Sequence, residues 1–213
     1  NVLAVLLGHN NEPLSGDLNA AEVISVEHDS FKEYTYDPFL SALEQIIKDK
    51  QPRLMIFGDT SIGSDLAGGL SARLDMPLVS FCKEIKSDSG QLQFVAQICG
   101  GKIFAEGELP ESTSLITLLP GKFKVEDGQV STAPKVTSHS IQVLETPRIT
   151  LQEVILPSGE GVDIAKEDVL IAIGRGIENE DNVELAQELA DALEGELCAS
   201  RPVIDQGWLP LSR

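Results

Sequence analysis

The chain has 213 residues, 42% of them hydrophobic, and its 34 acidic against 16 basic side chains give a formal net charge of −18. That length and apolar content suffice for one large or two small packed domains. The charge excludes nucleic-acid binding, which needs Lys and Arg to neutralise phosphates, and for the same reason an anionic membrane surface; a solvated acidic shell is its ordinary reading, and steering of a basic protein partner the alternative.

In chain order, residues 2–7 form a continuous apolar run, the pattern of a parallel strand covered on both faces. Residues 9–17 are polar and read as loop, and residues 22–26 as a second short strand. Asp37-Pro38 opens a helix with an N-cap and a first-turn proline, its apolar positions Phe39, Leu40, Leu43, Ile46 and Ile47 following the 3.6-residue period, and Gln51-Pro52 closes it. Residues 53–57 are another buried strand. The helix after it carries Ile62, Leu66, Leu70 and Leu74 on one stripe, and its Gly68-Gly69 pair suits close packing on a neighbour. This βαβα order predicts a parallel sheet.

The middle of the chain changes character. Ser87-Asp88-Ser89-Gly90 is turn chemistry, residues 91–98 alternate as a strand with one wet face, and residues 102–109 and 115–119 are further strands. A mixed sheet with a hairpin-rich edge follows. Residues 121–139 read as loops with short strands, and the apolar segments 141–144 and 149–156 close the first domain at a boundary of Pro157-Ser158-Gly159. The expected architecture is therefore a three-layer α/β/α domain over residues 1–156, then a second α/β unit over 157–213. That unit comprises a strand at 169–173, a helix at 182–193 begun by Asp181-x-x-Glu184 and ended at Gly195, and a strand at 196–199.

Both strands of the second unit end in an arginine-bearing turn, Gly174-Arg175-Gly176 and Ala199-Ser200-Arg201-Pro202, on the sheet edge where open α/β folds bind ligands. Glycines beside Arg175 let backbone N–H groups approach a phosphate at a helix N-terminus, although spacing alone favours an ordinary βα turn, and Glu178, Glu180 and Asp181 would repel a phosphate deep at that helix end. Ser200 and Arg201 alone read as a polar turn. Thr60-Ser61-x-Gly63 invites a phosphate-loop reading, but no lysine lies between Gly58 and Leu74, so Thr60 or Ser61 as a helix N-cap is the better account.

Other chemistry is absent from the pattern. Cys82, Cys99 and Cys198 are odd in number and widely spaced without a CxxC or Cys/His cluster, so each reads as a small buried hydrophobe in a reducing compartment, with no metal site. His9, His28 and His139 sit in or beside polar loops without the neighbours of a catalytic triad, and no catalytic residue is assigned. Trp208 reads as packing. The apolar runs are too short to cross a bilayer and no signal peptide is visible, so no membrane insertion is expected.

Residues 2–10 (VLAVLLGHN), 54–74 (LMIFGDTSIGSDLAGGLSARL) and 115–123 (LITLLPGKF), followed by the Gly-Arg-Gly turn, a helix, the Ala-Ser-Arg turn and Gly207-Trp208-Leu209-Pro210, resemble in order and context the α subunit of the electron transfer flavoproteins, FAD-carrying heterodimers. The resemblance covers nearly the whole chain. It implies a truncated Rossmann-like FAD-binding second domain, with Arg201 over the isoalloxazine, Ser200 also on FAD, and Arg175 assisting. A guanidinium there stabilises negative charge on the reduced flavin, which is how a protein tunes a cofactor that does its own redox chemistry. It further implies an electron carrier paired with an electron transfer flavoprotein β subunit and fed by flavin dehydrogenases such as acyl-CoA dehydrogenases, in the cytoplasm or, as the second choice, the mitochondrial matrix.

Two departures stand out: residues 95–102 and 118–121 lack arginines that the family often carries in RPxxGGN and VRPG segments, in keeping with the acidic balance. The missing initiator methionine, an absent first strand–helix unit and an absent Gln-Val-Gly-Gln-Thr-Gly flavin loop lead to the expectation of a fragment that binds FAD weakly. The rival reading is a stand-alone adenine-nucleotide module using residues 58–63 and the loop after Leu7.

Overall fold

A computed structural model of the chain describes residues 2–210 except 17, 122, 124–131, 143–147, 155–163 and 165. The chain divides into two compact units, Asn1–Gln152 and Glu153–Arg213; the expected boundary at 157–159 lies outside the described residues.

The first unit runs β1 (Leu3–Gly8), α1 (Glu12–Ser15), β2 (Glu22–Glu27), α2 (Tyr36–Lys50), β3 (Leu54–Gly58), α3 (Ser61–Leu74), β4 (Leu78–Asp88), β5 (Gln91–Ile98), β6 (Ile103–Glu108), β7 (Ser114–Leu118) and β8 (Lys135–Ser138). It is α/β, with a parallel sheet ordered β1-β2-β8 and a mixed sheet ordered β3-β7-β4-β5-β6. In the second sheet β3, β7 and β4 are parallel while β4, β5 and β6 form antiparallel hairpins. This is the mixed sheet with a hairpin edge that the alternation of residues 91–98 predicted.

Helix α2 ties the core together because its apolar positions span a wide arc. Leu40, Leu43 and Ile47 pack with Leu66 and Leu70 of α3 and Leu115 of β7, while Ala42 and Ile46 pack with Ile24 and Val26 of β2. Burying such aliphatic side chains contributes about 1.5–3 kcal/mol each. Of the predicted glycine pair, Gly69 does the close packing: a Cβ there would lie 2.0 Å from the Tyr36 hydroxyl, whereas Gly68 meets nothing. The Tyr34 hydroxyl donates to Asp65 Oδ2 at 2.6 Å and makes a second tie to α3.

Several expectations need correction. The 9–17 loop contains α1, entered through Pro13. The N-cap of α2 is Thr35 and not Asp37; Asp37 lies in the first turn, buried, and accepts hydrogen bonds from Arg148 instead. Strand β4 was not foreseen, and it carries the Ser87-Asp88 pair assigned to a turn; the turn itself is Ser89-Gly90, both at positive φ, the geometry of a two-residue hairpin. Cys99 is exposed at positive φ in the β5–β6 turn, so only Cys82 is fully buried. The described parts of segments 141–144 and 149–156 carry no strand. The histidines are surface groups as expected: His9 pairs with Asp29, His28 caps Ser30, and His139 pairs with Asp49.

The second unit is a βαβ crossover, β9 (Leu170–Ile173), α4 (Val183–Ala192) and β10 (Glu196–Ala199), followed by α5 (Arg201–Asp205). Ile173, Ala186, Ala190, Leu197 and Val203 form its core, with Trp208 packed against it. Asp181 is not a cap: Asn179 accepts from Asn182 N in a 3-10 turn ahead of α4. At the other end Glu194, not Gly195, takes the left-handed conformation. Gly195 is needed because a Cβ would lie 2.7 Å from Val169 Cγ1.

Candidate functional site

The candidate site is the carboxyl edge of the β9–β10 pair. The strands are parallel and in register, Leu170 opposite Glu196 through Ile173 opposite Ala199. Ser200 N donates to Ile173 O at 2.9 Å and carries the ladder one step further. Arg175 and Arg201 are therefore each two residues beyond a paired position, on adjacent strands at the same edge. Between them, an ideal Cβ on Gly174 would sit 3.6 Å from Ser200 Oγ, so the two turns lie side by side.

Arg175 begins a 3-10 turn, Arg175–Ile177, which ends at Glu178 with φ of 71°. A second 3-10 turn, Glu180–Asn182, precedes α4, with Asn182 Nδ2 donating to Ile177 O at 2.8 Å. The Gly-Arg-Gly turn therefore does not feed the helix directly, contrary to the sequence reading. Glu178, Glu180 and Asp181 occupy the intervening segment, and the geometry offers the arginines, not the α4 terminus, to an anion. Ser200 is extended and occupies the cap position of α5 without a side-chain capping bond; Pro202 in the first turn fixes the entry.

Among the described residues the Arg175 and Ser200 side chains make no hydrogen bond, and all three candidate residues are exposed. Arg201 Nε donates to Asp205 Oδ1 at 2.6 Å in an i,i+4 pair whose side chains are 73% and 58% exposed. Such an exposed pair contributes little and gives way readily to a stronger anion. Two guanidiniums, a hydroxyl and a glycine-flanked backbone thus suit an anionic or electron-rich planar ligand.

At the corresponding edge of the first unit the polar side chains are engaged with one another's neighbours. Thr60 Oγ1 accepts from Gly63 N at 3.1 Å and caps α3, as predicted. Asp59 Oδ1 accepts from Ser64 Oγ and from Thr117 Oγ1, both at 2.9 Å, and puts a carboxylate beside the start of α3, where it would repel an anion. After β1, buried Asn11 donates through Nδ2 to Leu6 O, Ser25 Oγ and Val26 O, while its backbone N–H donates to Glu27 Oε1 at 2.7 Å. Sequence reasoning did not single out Asn11, Asp59 or Thr117, because their partners lie in other strands. Among the described residues no group of three or more His, Cys, Asp or Glu side chains is placed to hold a metal, and no helix is long and apolar enough to cross a membrane.

A parallel βαβ crossover with cationic turns at its carboxyl edge follows, in chain order, a separate mixed α/β unit, so the chain is a two-unit α/β protein of the class whose open sheets bind ligands at that edge. Residues 1–146 match the family described as "Electron transfer flavoprotein domain", and residues 163–213 match "Electron transfer flavoprotein FAD-binding domain". The chain belongs to the electron transfer flavoprotein family, on its α-subunit side. Similar proteins include those named "Electron transfer flavoprotein subunit alpha" of Bacillus subtilis, 28% identical over 97% of this chain and 64% of that protein, and of Thermoanaerobacterium thermosaccharolyticum, 31% identical over 98% and 65%. "Acryloyl-CoA reductase electron transfer subunit beta" of Anaerotignum propionicum is 26% identical over 98% and 66%. The chain thus spans somewhat under two thirds of the length of the first two relatives.

Proposed function

We propose that the chain supplies the α-subunit part of a cytoplasmic electron carrier, in which it pairs with an electron transfer flavoprotein β subunit, helps to hold FAD, and receives electrons from flavin dehydrogenases such as acyl-CoA dehydrogenases. Bound FAD supplies the redox chemistry; Arg201 sets the charge beside it, and Arg175 and Ser200 help to bind it. The observation that carries this reading is the register of β9 and β10, which brings both arginine turns to one edge. The family match and the electron-transfer names of the relatives support it.

The test is made in the full-length relative-sized protein with its β subunit. Arg201→Ala is expected to make the flavin harder to reduce, with a potential lower by roughly 30 mV, a tenfold change for a two-electron couple. An unchanged potential removes Arg201 from the flavin's surroundings. Residues 1–213 alone are expected to take up FAD weakly, whereas an AMP or ATP signal surviving deletion of everything after Pro157 would restore the adenine-nucleotide reading.

A further inference from the structure

Four described residues late in the first unit, His139, Ile141, Gln142 and Arg148, meet α2 in antiparallel order. His139 Nε2 lies 3.4 Å from Asp49 Oδ2, and Ile141 packs on the cluster holding Ala42 and Ile46. Gln45 and Gln142 then pair reciprocally: Gln45 Nε2 donates to Gln142 O at 2.8 Å, and Gln142 N donates to Gln45 Oε1 at 2.9 Å, so the side-chain amide copies a strand bridge. Last comes Arg148, whose backbone N–H donates to Asp37 Oδ2 at 3.0 Å while its guanidinium takes both carboxylate oxygens, with Nη2 at 2.5 Å from Oδ1. The partners descend α2 from 49 through 45 to 37 as the chain climbs from 139 to 148.

Asp37 is 3% exposed. A carboxylate so placed is costly without a cation, so Arg148 is the partner its burial requires. Beyond Arg148, the described residues carry no helix or strand until β9.

We propose that these contacts anchor the exit from the first unit: Asp37 and Gln45 hold Arg148 and Gln142 to α2, so the chain leaves this unit after Arg148 and not at the end of β8. The inference concerns the first unit's own contacts and stands whether or not the second unit holds FAD.

Trypsin reads the anchor directly, because Arg148 is both a clamp residue and a cleavage site. In the 213-residue chain, Asp37→Asn is expected to raise the cutting rate after Arg148 about tenfold, and Gln45→Ala by a smaller factor, with a distinctly smaller rise in either variant at Arg73 in α3 and Lys86 in β4. Equal cutting after Arg148 in the parent and both variants overturns the proposal. So does a rise at Arg148 that is matched at Arg73 and Lys86 in both variants, since the contacts would then belong to global stability.

Discussion

The two carboxyl edges of this molecule are built on the same strand–turn–helix scheme and have opposite polar economies. At the first unit's edge Asn11 hydrogen-bonds to β1 and β2, Asp59 accepts from Ser64 and Thr117, and Thr60 accepts from Gly63 N. At the second unit's edge Arg175 and Ser200 project without a partner among the described residues, and Arg201 holds only an exposed neighbour. Internal hydrogen bonds engage the side chains at the first edge, whereas the second keeps its side-chain donors available. The difference separates a structural turn from a binding turn where the topology does not.

The strongest test of that contrast is Gly63→Ala. A Cβ at Gly63 would lie 1.9 Å from Gly58 O, backbone against backbone, so α3 must shift off β3. Overpacking of this kind is expected to destabilise the first unit by about 3 kcal/mol, read by thermal unfolding; a neutral outcome would mean that the edge is not tightly closed. A smaller effect is expected from Asp37→Asn. Hydrogen bonds from Arg148 hold the Asp37 carboxyl below its ordinary value, against the opposing effect of burial. Because the folded value is depressed, its contribution is complete above the unfolded value near 4 and is lost as pH falls through the folded one. The variant should therefore lower Tm by about 4 °C at pH 7, and the gap should close progressively in acid; a gap independent of pH would show that the ionised pair is not what the substitution removes. The least stability change, within about 0.5 kcal/mol, is expected from Arg175→Ala and Arg201→Ala, since exposed side chains of this kind rarely matter to folding. A large loss at either position would make the second edge structural after all.

Much of this fold was legible because burial leaves a periodic trace. Strand β10 falls on the predicted residues 196–199, and α2 and α3 lie where their stripes placed them. Strand β4 escaped because its alternation is broken twice: the register shifts between Val79 and Cys82 around Phe81, which sits at positive φ, and again between Cys82 and Glu84. A bulge rotates the following side chains to the other face, so period-2 reading fails there. The misassigned caps at Asp37 and Asp181 share another cause. An acid before a helix looks like a local cap, but Asp37 answers to a residue 111 positions away. The placing of Arg175 and Arg201 at strand ends was readable from local sequence. That the two ends share an edge needed the strand register, and their relation to a flavin rested on resemblance, since a short arginine turn has no distinctive spacing.

Tyr36 resting on Gly69, with Tyr34 bound to Asp65 one turn earlier, makes α2 and α3 a single moulded piece. Anyone recombining segments between related chains would have to move residues 34–69 together, because a crossover between the two helices would set a foreign side chain against a surface shaped for none.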